Sequence, residues 1–142
     1  VLRTSLIAGL PGEGEAEFDE LCEFLREARI ERVGVFPFSP EEGTPAAKME
    51  HVDEDEARRR ADLIMQLQAP IMDDFCQSFV GKTIRVLCVG YNEELQRCIG
   101  RSYADSPDID GLVYFTGRCP EGEMTDVLIS GADDGMLIGD EI

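Results

Sequence analysis

An α/β unit followed by an all-β unit is the architecture this sequence predicts, and three observations carry it. Residues 2–36 read as strand, helix, strand. A proline-punctuated loop and one long helical pattern come next. Beyond Gly81, five short apolar runs alternate with turn residues. The first pattern suits a parallel crossover, and the last suits a small antiparallel barrel.

Residues 2–9 hold Leu2, Leu6, Ile7 and Ala8 with little alternation, as expected of a strand covered on both faces. Gly9, Pro11 and Gly12 turn the chain. Residues 15–29 follow as a helix, because Phe18, Leu21, Cys22, Leu25 and Ala28 recur at three- and four-residue steps. Gly14 stands at the N-cap, and Glu13, Glu15 and Glu17 crowd the end where the helix dipole favours negative charge. Val33, Val35 and Phe36 form the second strand, ended by Pro37 and Pro40. Asp53 and Glu56 have capping-box spacing ahead of a helix running to about Phe79. Pro70 lacks the N–H that would bond Gln66, so a kink or break is expected there. Arg58, Arg59 and Arg60 read as a solvated helix face.

The five later runs are 83–89, 97–103, 112–116, 124–130 and 136–139. These place a domain boundary near residue 79, giving units 1–78 and 79–142. The chain has 142 residues, a hydrophobic fraction of 43% and a formal net charge of −17. Residues 1–78 carry a net −10 and residues 79–142 a net −7, so the acidity is shared. Such a surface repels phosphate backbones and attracts basic proteins. No apolar run approaches the roughly 20 residues needed to cross a bilayer. Cys22, Cys76, Cys88, Cys98 and Cys119 are odd in number and lack metal-ligand spacing. They read as reduced thiols of a cytoplasmic protein, with no disulfides. His51, Glu41, Glu42, Asp73, Asp74, Asp133 and Asp134 read as ordinary surface groups.

Four stretches carry a resemblance: "RTSLIAGLPGEGEAEFDEL", "RVGVFPFSPEEGTPAAKM", "VGKTIRVL" and "GRSYADSPDIDGLVYFTG". Together they resemble RimO-type methylthiotransferases from Leu2 to about Glu141. Gly14 departs from the threonine usual there. The resemblance implies that residues 1–78 are the end of a parallel radical S-adenosylmethionine barrel. Residues 2–9 and 33–38 would be its last two strands, and the rest of the sheet would lie upstream of Val1. Residues 79–142 would be a five-stranded TRAM barrel.

For function, the resemblance implies methylthiolation of an aspartate β-carbon in the twelfth small-subunit ribosomal protein. The reaction would use S-adenosylmethionine and two iron–sulfur clusters. No cysteine here matches a cluster ligand, so those ligands are expected upstream and this chain alone is expected to be inactive. Ala8, Gly9, Phe36, Pro37 and Phe38 match positions near the cofactor. The acidic turn with Asp105, Asp108 and Asp110 would meet the basic ribosomal protein. RNA is not expected to bind directly. Of Tyr91, Tyr103, Tyr114 and Phe115, most are expected to pack rather than stack on bases. A tRNA adenosine methylthiotransferase with an RNA-binding TRAM barrel, and a stand-alone acidic module, remain as alternatives.

Overall fold

The computed structural model describes residues 1–109 and 111–142. Two compact units divide the chain, Val1–Ile71 and Met72–Ile142.

In the first unit, β1 (Arg3–Ala8) and β2 (Arg32–Pro37) pair in parallel, from Arg3 opposite Arg32 to Ala8 opposite Pro37. Between them runs α1 (Glu15–Ala28). Its N-cap, Gly14, has no side-chain acceptor, but Glu17 Oε2 accepts the Gly14 N–H at 2.9 Å. That interaction leaves one half of a capping box in place. Phe18, Cys22 and Leu25 of α1 pack with Ala8 and Val33 of the strands and with Ala61 and Ile64 of α2 (Glu54–Gln77). The sheet is covered on that face alone. Ile7 and Phe36 point the other way and are 49% and 60% exposed. Within this chain, two strands and two helices supply one apolar layer.

At the start of α2, Asp53 Oδ1 accepts the N–H groups of Asp55 and Glu56 at 3.0 and 3.3 Å. The Glu56 carboxylate turns to arginines instead, bonding Arg59 and Arg60. The helix runs through Pro70 without interruption, contrary to a break there. Packing overrides the lost bond: Ile64 lies in the core of the first unit, and Cys76 lies in that of the second. The boundary of the two units falls just after this proline, between Ile71 and Met72.

The second unit is a closed barrel in the order β3-β4-β5-β7-β6. Its strands are β3 (Thr83–Asn92), β4 (Arg97–Arg101), β5 (Val113–Thr116), β6 (Met124–Asp133) and β7 (Met136–Glu141). Four pairings are antiparallel, as expected. The closing pair, β5 with β7, is parallel, so the barrel is mixed. Closure leaves no free edge. Register shifts between Cys88 and Gly90, and between Ile129 and Gly131, bend the two ten-residue strands around the small core. Val86, Val113, Phe115 and Val127 are fully buried. Gly100 leaves the room they need, since a Cβ there would overlap the side chain of Val86. Cys76 and Phe79 join the same core, with Phe75 set edge-on to Phe79 at 5.0 Å. No described helix is long and apolar enough to cross a membrane.

Candidate functional site

Parallel strands bring their carboxyl ends to one side, and the candidate cofactor residues meet there. Ala8 is opposite Pro37 and Ile7 opposite Phe36. Beyond the last pair, the Phe38 N–H donates to the Ala8 carbonyl at 2.8 Å. Ala8, Gly9, Phe36, Pro37 and Phe38 therefore form one edge. They differ in what they offer. Ala8 is fully buried and its carbonyl already accepts a bond, whereas the Phe36 ring is exposed. Phe38 lies 5.6 Å from the His51 ring, and His51 Nε2 is 2.9 Å from the Ala46 carbonyl.

Gly9 begins a tight turn with φ +79°. Its N–H donates to Glu13 Oε1 at 2.9 Å. A Cβ at Gly9 would overlap the Ala57 methyl group, so the strand end lies directly on α2. Both the left-handed backbone and the close approach require glycine.

Arg60 ties this turn to α2. One guanidinium nitrogen donates to both Glu13 Oε1 and the Glu13 carbonyl, each at 2.9 Å. Nε donates to Glu56 Oε1 at 2.8 Å, and the group lies 5.3 Å above the Phe18 ring. The Arg60 side chain is only 5% exposed. Reading all three arginines as a solvated face is thus corrected for Arg60. Arg58 and Arg59 are exposed, paired with Glu54 and Glu56. The missed signal was periodicity: Arg60 stands three residues after Ala57 and four before Ile64, on the buried stripe. Electrostatics follow the geometry. The Arg59 hydrogen bond, with that of Arg60 second, holds the Glu56 carboxyl at about 2. Burial opposes the charge on Arg60, yet Glu13 and Glu56 outweigh it and raise its pKa.

On the barrel, Ser102 and Asp105 build the acidic turn. Asp105 Oδ2 accepts the Ser102 N–H at 2.9 Å and its hydroxyl at 2.7 Å. Asp105 therefore shapes the turn. Asp108 is exposed, in the left-handed region at φ +59°. Asp110 lies outside the described residues. Tyr91 and Tyr103 are exposed and Phe115 is fully buried, so these aromatics divide between surface and core. Sequence reasoning also missed Glu141, which accepts the Arg118 N–H at 2.7 Å and the Thr125 hydroxyl at 2.8 Å. Those bonds lower its pKa and anchor the turn after β5. Among the described residues, no group of three His, Cys, Asp or Glu side chains is arranged to hold a metal ion.

The TRAM domain family matches residues 80–142, which is the closed barrel. Nearly the whole chain matches larger proteins. It is 45% identical over 141 residues to "Ribosomal protein uS12 methylthiotransferase RimO" of Anaeromyxobacter sp. (strain Fw109-5), covering 97% of this chain and 30% of that protein. The protein of the same name from Parasynechococcus marenigrum is 42% identical over 149 residues, covering 98% and 32%. That of Trichormus variabilis is 44% identical over 140 residues, with the same coverage. The similarity of this chain, over nearly its whole length, is to RimO-type proteins. The chain spans about 30% of the length of the curated relatives it matches. The RimO-type match includes the β1–β2 unit as well as the TRAM barrel, because it covers 97% of the chain.

Proposed function

We propose that this chain is the portion of a radical S-adenosylmethionine methylthiotransferase that completes its parallel barrel and docks its substrate. That substrate is the twelfth small-subunit ribosomal protein, modified on an aspartate β-carbon. The observation that carries the reading is the match, at over 40% identity along nearly the whole chain, to relatives named as ribosomal protein uS12 methylthiotransferases. In this reading S-adenosylmethionine lies against Ala8, Gly9, Phe36, Pro37 and Phe38, and the full-length enzyme holds the two clusters on residues outside this chain. The chain alone is inactive, and the enzyme works in the cytoplasm.

Two features of the molecule support it. A two-stranded sheet is marginal by itself, and this one exposes Ile7 and Phe36 on the face turned from its helices. Further barrel strands and their contents would cover that face. The TRAM stretch, in turn, is acidic, with twelve Asp and Glu against five Lys and Arg over residues 79–142. RNA-binding grooves need the opposite sign. Asp108 is an exposed contact to a basic client, Asp105 holds the turn that presents it, and Asp110 is a third candidate.

A salt titration tests this. The 142-residue chain is expected to bind the purified ribosomal protein, to weaken steeply as salt rises, and to bind tRNA poorly. Asp108→Asn, which removes the charge and tolerates the left-handed backbone, is expected to slow association while leaving Tm nearly unchanged. Tight tRNA binding with no affinity for the ribosomal protein would overturn the reading in favour of a tRNA-modifying relative.

A further inference from the structure

Three of the five cysteines meet at one corner of the TRAM barrel. Cys88 on β3 and Cys98 on β4 are buried, and Cys119, in the turn between β5 and β6, is half-buried. With Tyr91, Gly117 and Glu121 they line a depression of about 280 Å³. All five cysteines of the chain are free thiols. The backbone holds the turn against β3 on both sides of Cys88. Cys88 N–H donates to the Glu123 carbonyl, and Gly122 N–H donates to the Cys88 carbonyl, each at 2.9 Å. The sulfurs occupy the same corner. Cys88 Sγ is 3.2 Å from the Cys119 carbonyl. Cys119 Sγ is 3.6 Å from the Glu123 carbonyl, the one that accepts from Cys88. Cys98 Sγ is 3.7 Å from the Gly117 carbonyl, which lines the same depression. The three do not form a metal-ligand arrangement.

We propose that Cys88 and Cys119 are a redox pair, which a small-molecule disulfide of the glutathione class closes into a bond that latches the β5–β6 turn onto β3. Cys119 reacts first, because it is the accessible thiol. As thiolate it attacks one sulfur of the oxidant, the oxidant's S–S bond breaks, and one small thiolate leaves and takes up a proton. Cys88 then gives up its proton and attacks the Cys119 sulfur, displacing the second small thiolate. Two protein thiols lose two electrons, and the small disulfide is reduced to two thiols. Cys98 is the poorer partner. It sits inside β4 opposite Phe115, where the barrel wall fixes its backbone. Cys119 lies outside the strands and can adjust to the narrow geometry a disulfide demands. Desolvation, then the neighbouring Cys88 and acidic groups, raise the Cys119 thiol. The first attack by Cys119 therefore speeds up as pH rises and its thiolate fraction grows.

The test uses the purified 142-residue chain treated with oxidised glutathione, then alkylated, digested and weighed by mass spectrometry. Trypsin separates the three cysteines, cutting after Arg85, Arg97, Arg101 and Arg118. The expected product links the Cys88 and Cys119 peptides. Its formation raises Tm, and dithiothreitol reverses both changes. Cys98→Ser keeps the link, and Cys119→Ser, at a half-exposed turn position, abolishes it and the Tm rise. A Cys119 that stops at the mixed disulfide, a link joining Cys88 to Cys98, or a Tm rise surviving in Cys119→Ser would each overturn the proposal. The result is independent of which substrate the barrel docks.

Discussion

Glu13 and Arg60, 47 residues apart, form an ion pair at 2.9 Å with side chains only 10% and 5% exposed. The same Glu13 oxygen accepts the Gly9 N–H. One carboxylate thus joins the end of β1, the turn before α1 and the first turns of α2. Of the charged contacts in the first unit, this pair has the clearest structural consequence, because removing one partner strands the other in a water-poor site.

Arg60→Met is expected to destabilise the chain by about 3 kcal/mol or more, the cost of leaving a buried charge uncompensated. Arg58→Met removes only exposed pairs with Glu54 and Asp55 and should cost below about 1 kcal/mol. Urea unfolding followed by circular dichroism compares them. Equal losses would mean that the Glu13 pair has no special role.

Gly9→Ala tests the strand end. The new methyl group would meet Ala57, and the backbone would stay at φ +79°. Strain of this kind costs roughly 1–3 kcal/mol before the overlap is counted. Gly12→Ala shares the positive φ but faces open space, so it is expected to cost less. The difference in Tm between the two variants isolates the contact with α2.

Acid should weaken the fold in a defined window. Glu56 is held at about 2, below the ordinary glutamate value of 4.5, first by Arg59 and then by Arg60. Folding therefore favours its charged form. That contribution is complete above the ordinary value and fades as pH falls toward the folded one. Glu141, bonded by the Arg118 N–H and Thr125, and Glu31, bonded by the Leu2 N–H, shift in the same direction. A Tm profile on acidification should fall through this range, and Glu56→Gln should flatten some of the fall. An unchanged slope would reject the assignment.

In the barrel, Phe115→Ala is expected to cost about 3–5 kcal/mol, because a fully buried ring leaves a cavity in a small core. Tyr103→Ala, at 74% exposure, should lie within about 0.5 kcal/mol of the parent. Thermal unfolding checks both. A large loss at Tyr103 would mark that ring as structural.

Much of the fold can be read without coordinates where a period is clean. The stripe Phe18, Cys22 and Leu25 marks α1 and is the buried face observed. Five turn-bounded runs become the five barrel strands, with β3, β6 and β7 longer than the apolar runs suggest. The extra residues, such as Tyr91, Asn92 and Asp133, are paired by ladder bonds rather than by burial, so hydropathy alone does not reveal them.

The candidate sites were less legible. Local order decides that Asp53 caps α2, that Gly9 turns the chain, and that the strand–helix–strand unit runs parallel. Tertiary structure alone decides that Arg60 is buried on Glu13, that α2 passes through Pro70 and that β5 closes on β7 in parallel. Spacing along a chain reports the neighbours a residue has within one element. A buried charge, a barrel seam and a cluster of thiols depend on neighbours 20 to 50 residues away, and only the folded backbone brings those groups within bonding distance.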